Sequence, residues 1–172
     1  MEEEKKNKKE DIYHCRELEQ GGSFEDLPRF THAGTLTKAK VVNVYDGDTV
    51  TIVFHHGGEF VKHQFRFHGF DAPEMKPSLS APFRDLHKLA ARRVKKYLED
   101  RLLNQIVWIR FFQEEKYGRL MGNVYTVTNP DRCTSDDECI NDTMIRLKYG
   151  APYDGGKKST FSKEDLDLII NT

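Results

Sequence analysis

The sequence predicts an α+β chain that is mainly β: a five-stranded Greek-key barrel of the OB type with two to three packed helices. Three observations carry this reading. Residues 36–67 place apolar side chains at every second position, interrupted only by Asp-Gly and Gly-Gly turn signals. Residues 78–103 then change to helical spacing. Two more alternating segments follow, at 106–112 and 120–127. Five strands with a helix between the third and fourth fit a small Greek-key barrel. A meander sheet with packed helices is the alternative arrangement of the same elements.

Taken in order, residues 1–35 show no periodic apolar pattern and are rich in Glu, Lys, Gly and Gln. They are expected to form a charged, flexible extension, with a short helix around 12–18, ahead of a folded domain at 36–172. The first two strands occupy 36–54 and join at Asp46-Gly47, where glycine tolerates positive φ and aspartate bonds nearby backbone. A third strand at 59–67 follows His-His-Gly-Gly. Pro82 suits the first turn of the long helix. Leu86, Leu89, Ala90, Val94, Tyr97 and Leu98 share one face, and Asn104 ends it. The run Arg-Arg-Val-Lys-Lys at 92–96 reads as the solvated face of that helix; a track for a nucleic-acid backbone is the other reading. After the last strand, 128–139 reads as a loop and 140–149 as a short helix ending at Gly150. Residues 162–170 read as a final helix capped by Ser162, with acids in its first turn.

Composition narrows the function classes. The 172 residues carry a net charge of −1, so attraction to a polyanion has to come from a local patch. No apolar run approaches the roughly 20 residues that span a bilayer. The opening MEEEKKNKKE has eight charged residues in ten and lacks the apolar core of a signal peptide, so an intracellular protein is expected. Cys15, Cys133 and Cys139 make an odd count and are expected as free thiols. A disulfide or metal clip between Cys133 and Cys139 is the alternative.

Three segments put polar groups where the pattern favours apolar ones: Asp-Gly-Asp-Thr at 46–49, RFHGFDAPEM at 66–75 and EKYGR at 115–119. Asp48 falls where a strand begins, a position depleted in aspartate. Asp71 and Glu74 stand three apart around Ala72-Pro73, a stiff bend that fixes their relation. If that bend lies near Asp48, three carboxylates converge and repel, a cost that a divalent cation removes. Ca²⁺ takes oxygen ligands in flexible geometry, and no Cys or His stands beside these acids to favour zinc. Arg66 and Arg119 supply guanidinium forks for phosphate oxygens. Acids, a hard cation and two arginines suggest phosphodiester hydrolysis. Ordinary surface ion pairs are the competing account. His68, beside the bend, is expected to be exposed or packed.

These three motifs, in this order and around a long helix, resemble the staphylococcal nuclease-like (thermonuclease) family over about residues 38–153. The resemblance implies an OB barrel and a Ca²⁺-dependent endonuclease with little sequence preference. Its substrates would be single-stranded DNA and RNA, and its products 3′-phosphate ends. By motif position it implies Asp48, Asp71 and the Ala72 carbonyl as metal ligands. It implies Glu74 as general base and Arg66 and Arg119 as the phosphate-contacting arginines. Lys116, Tyr117 and Tyr153 would touch the nucleotide. Ala72 stands where the best-known member has threonine, and 128–139 looks like an insertion. Some domains of the family keep the barrel without catalysis, so a module that binds nucleic acid or protein is the alternative function.

Overall fold

Alternation of core and solvent side chains builds the walls of the barrel. In β1 (Leu36–Val44) the buried residues are Ala39, Val41 and Val44. A bulge between Val41 and Asn43 shifts the register, so the inward position moves from Asn43 to Val44. β2 (Thr49–His56) buries Val50, Ile52 and Phe54, and β3 (Glu59–Phe67) buries Phe65 and Phe67. After a two-residue strand β4 (Phe70–Asp71) comes α1 (Arg84–Leu102), then β5 (Ile106–Phe111) and β6 (Leu120–Tyr125). α2 (Ile140–Arg146), a two-residue β7 (Ala151–Pro152) and α3 (Lys163–Asn171) complete the chain. The computed structural model describes residues 30–112, 118–127, 139–156 and 158–172.

The sheet is a closed barrel in the order β1-β2-β3-β6-β5, so the barrel and not the meander is the architecture. β1, β2 and β3 form an antiparallel meander, and β5 returns antiparallel to β1. Closure comes from a parallel pairing of Phe65–Phe67 with Leu120–Gly122, which no meander supplies. This is the expected mainly β fold with three packed helices. Ala90, Ala91, Val94, Leu98 and Leu102 are the buried face of α1, and α3 packs on α1 through Leu166 and Ile169. Among the described residues no helix is long and apolar enough to cross a membrane.

Three local details differ from expectation. α1 begins at Arg84, so Pro82 precedes the helix instead of lying in its first turn, and Phe83 takes the cap position at φ 53. α2 stops at Arg146, because Lys148 at φ 59 turns the chain before Gly150. Strands β4 and β7 pair with each other, a contact too short to show as periodicity. Cys139 is buried as a free thiol, and burial pushes it up to about 12. Lys116, Tyr117, Cys15, Cys133, the helix expected at 12–18 and nearly all of the loop at 128–139 lie outside the described residues.

Candidate active site

Strand register sets up the site. Thr49, the first residue of β2, pairs with Arg66 on β3, and the Phe67 amide donates to the Asp48 carbonyl at 2.9 Å. Phe65 and Phe67 point into the core, so Arg66 between them points to the opposite face. The chain then turns at His68-Gly69 into β4, which carries Asp71. Asn141 of α2 clamps that turn. Its amide nitrogen donates to the His68 carbonyl at 2.8 Å and the Gly122 carbonyl at 3.1 Å, and its oxygen accepts from the Val124 amide at 3.0 Å.

Two glycines hold the bend close. Gly47 is not at positive φ, contrary to the turn reading of the sequence. A Cβ there would come within 2.5 Å of the Ala72 Cβ and 2.8 Å of Val94 Cγ1, so glycine lets the Asp48 turn nest between the bend and α1. A Cβ at Gly150 would meet the Phe70 ring at 2.4 Å and the Asp71 carbonyl at 3.0 Å. Asp46 makes the turn by accepting from the Asp48 amide at 3.2 Å.

The result is a cleft of about 530 Å³ lined by Asp46, Asp48, Arg66, Asp71, Ala72, Glu74, Arg119 and Tyr153, among others. Two nitrogens of the Arg66 guanidinium meet Asp48 Oδ2 and Asp71 Oδ1, each at 2.5 Å, and one also donates to the Phe70 carbonyl at 3.2 Å. Arg66 is 6 % exposed and Asp71 1 %, so these charges are almost fully out of water. Charges so buried persist only when paired and hydrogen-bonded. Asp48 also accepts from the Thr49 hydroxyl at 2.8 Å, and Asp71 Oδ2 from the Ser159 amide at 2.9 Å. The Tyr153 ring lies 5.4 Å from the guanidinium carbon.

Glu74 is bonded to Lys158, a partner that lies 84 residues away and has no local signal. Burial works to raise Asp48, but the Arg66 charge and the bonds from Arg66 and Thr49 outweigh it, leaving Asp48 below its ordinary value. Asp46 moves the other way: burial, then the neighbouring Asp48 charge, push it up to about 6. Lys158 loses to burial but gains more from Glu74, Asp48 and Asp71, and lies above its ordinary value.

The donors facing the cleft among these acids are all oxygen, the set that suits a hard cation such as Ca²⁺. Among the described residues no three His, Cys, Asp or Glu side chains are gathered into a ready cluster. Arg66 stands between Asp48 and Asp71, and Lys158 holds Glu74. The chemistry of the donors fits such an ion, provided that Arg66 turns from the carboxylates.

Asp46 was legible only as a turn residue, although its place in Asp-Gly-Asp could have marked it as a further acid of the cleft beside Asp48, Asp71 and Glu74. Lys158, Ser159 and Asn141 had no local signal, because each reaches the site only through the fold. His68 is exposed, its ring packed edge-on to Phe112 at 4.9 Å. Residues 64–165 match the family described as staphylococcal nuclease homologue. No curated protein matches the chain.

Proposed function

The chain belongs to the staphylococcal nuclease homologue family, and from that premise we propose that it is a Ca²⁺-dependent endonuclease. In this reading it cleaves single-stranded DNA and RNA with little sequence preference and leaves 3′-phosphate ends. The observation that carries the reading is the sharing of one cleft by Asp48, Asp71, Glu74, Arg66 and Arg119. Bound Ca²⁺ would screen phosphate charge and orient the attacking water.

The residues of the chain do the rest. Asp48, Asp71 and the Ala72 carbonyl are the oxygens that would hold the ion. Arg66 and Arg119 hold the non-bridging phosphate oxygens, and Arg66 exchanges a carboxylate for phosphate as substrate enters. Glu74, once released by Lys158, accepts a proton from water. The water oxygen bonds to phosphorus as the bond from phosphorus to the 5′ oxygen breaks, and the 5′ oxygen leaves with a proton from solvent, so phosphate stays on the 3′ side. Tyr153 presents an aromatic face for the nucleotide, and Lys116 and Tyr117 are taken as further nucleotide contacts. The nuclease domain is taken as 36–172, with 1–35 as an extension, in an intracellular protein.

The test is incubation with single-stranded DNA and with RNA in Ca²⁺, Mg²⁺ or EDTA, followed by end-group analysis. Cleavage in Ca²⁺ alone with 3′-phosphate ends is expected. Glu74→Gln and Arg119→Ala should each lower kcat by about 10²- to 10⁴-fold with the fold intact. Binding of single strands without cleavage under any metal would replace this reading by a non-catalytic module, a possibility favoured by the internal neutralisation of Asp48, Asp71 and Glu74.

A further inference from the structure

Asp46 and Glu74 form a ridge with a cavity on each side. On one side is the 530 Å³ cleft; on the other is a shallow groove of about 310 Å³, bordered by Asn43, Tyr45, Lys76 and Lys95. We propose that this groove is a further nucleotide subsite, holding the base and phosphate of the nucleotide one step beyond the two that flank the bond that is cut.

The chemistry of the groove is that of a strand-binding surface. Tyr45 is 57 % exposed at the turn between β1 and β2, so its ring is open to solvent and to a ligand. Its backbone is fixed on both sides: the Tyr45 amide donates to the Thr49 carbonyl at 2.9 Å, and its carbonyl accepts from Lys95 Nζ at 3.3 Å. The ring is thus an aromatic platform on a supported backbone, in a groove that Lys76 and Lys95 also line. Sequence-independent binding of single strands needs this combination, stacking for the base and cations for the backbone. A polyanion crossing the acidic ridge needs positive charge on both sides. Arg66, Arg119 and Lys158 supply it in the cleft, and Lys76 and Lys95 supply it in the groove. Lys95 is also committed to Glu99 at 3.7 Å, which leaves Lys76, exposed at the edge of the bend, as the phosphate contact.

This inference rests on the nuclease reading, and its test separates the two. Kinetics are compared on a dinucleotide and on a long oligothymidylate, for the wild type, Tyr45→Ala, Tyr45→Phe and Lys76→Ala. Binding of the same oligonucleotides is followed by fluorescence anisotropy in EDTA. Tyr45→Ala is expected to weaken the long strand on the order of tenfold in KM and Kd, with Tyr45→Phe close to wild type. Lys76→Ala is expected to lower the slope of log Kd against log salt by about 0.7. The wild-type preference for the long strand should shrink in both variants. Equal effects on long and short substrates, or no effect on either, overturn the proposal. A wild type that cuts neither substrate rejects the nuclease reading alone; the anisotropy measurements then still decide the groove.

Discussion

Lys158 Nζ donates to Glu74 Oε1 across the mouth of the cleft. The loop that carries Lys158 is tied down on either side. Tyr153 donates its hydroxyl to the Gly156 carbonyl at 3.2 Å, and Ser159 donates its hydroxyl to the Pro152 carbonyl at 3.0 Å. Lys158 is therefore a placed charge and not a chance surface contact. A cation entering among Asp48, Asp71 and Glu74 meets that ammonium as a competitor. Removing it should tighten Ca²⁺ binding. Both partners are half exposed, so solvent screens the effect to roughly 3- to 10-fold. Titration calorimetry of Lys158→Ala against the wild type reads this directly. Unchanged or weaker Ca²⁺ affinity would show that Lys158 does not oppose the ion.

Arg66 offers a stronger case, since it is buried with both of its acids. Deleting one member of such a set strands the others without solvent, at about 3–5 kcal/mol. Arg66→Ala should lose that much stability in urea melts without metal. It should regain part of it with Ca²⁺, because the stranded carboxylates are the proposed ligands. The wild type should gain about 2.7 kcal/mol at a hundredfold excess of Ca²⁺ over Kd, and Asp71→Asn should gain almost nothing. A variant Asp71→Asn that responds to Ca²⁺ like the wild type would remove Asp71 from the ligand set.

Gly47 connects packing to the site. A methyl group there meets Ala72 at 2.5 Å and Val94 at 2.8 Å, so Gly47→Ala pushes the Asp48 turn from the bend that carries Asp71. Overpacking of this kind costs typically 1–3 kcal/mol. Activity should fall further than stability predicts, because the Asp48 turn and the Asp71 bend are being moved apart. Adding Ala72→Gly makes room at the nearest contact and should restore part of both, which paired melting and rate measurements would detect.

Local periodicity made the strands legible, because a half-buried strand writes its two faces into alternating residues. β1, β2, β3, β5, β6 and the capped α3 could be read this way. So could the opposed directions of Arg66 and the phenylalanines beside it. What escaped was the work done by residues with no pattern of their own. Gly47 read as a residue chosen for positive φ, yet its function is the close approach of Ala72 and Val94. Gly150 read as a helix stop, yet it makes room for Phe70 and Asp71. Asn141 is a polar residue on a short helix, and only the fold shows the two carbonyls and one amide it satisfies. The parallel pairing of β3 with β6 joins segments separated by α1 and β5, and no local signal encodes such a distance.

Asn141 should be a costly uncharged polar residue to remove. Asn141→Leu leaves the Val124 amide and the His68 carbonyl without this partner, while the Gly122 carbonyl keeps the His68 amide at 2.9 Å. One buried group left unpaired costs about 1–3 kcal/mol. Because the His68 carbonyl belongs to the turn leading into Asp71, the loss should also weaken Ca²⁺ binding. Hydrogen exchange at Val124 gives a local check, with faster exchange expected than in the wild type.

The cap of α3 makes a prediction with a defined pH sign. Asp165 Oδ2 accepts from the Ser162 hydroxyl at 2.8 Å and the Ser162 amide at 3.0 Å, while Ser162 Oγ accepts from the Asp165 amide at 3.1 Å. The side-chain bond and then the backbone bond from Ser162 hold Asp165 below its ordinary 3.8. A carboxylate with a depressed folded value stabilises the fold above its unfolded value and loses that contribution as pH falls through the folded one. Asp165 is largely in water, so the linked contribution is well under about 1 kcal/mol. Ser162→Ala, which removes the cap itself, should cost about 1 kcal/mol near neutrality. α3 packs on α1 through Leu166 and Ile169, so the cost is expected in the global urea transition. The gap between wild type and Asp165→Ala should hold at neutral pH and narrow only below 3.8, as protonation removes the carboxylate from the wild type as well. A gap that stayed constant down to acid unfolding would mean that Asp165 contributes by packing and not by its charge.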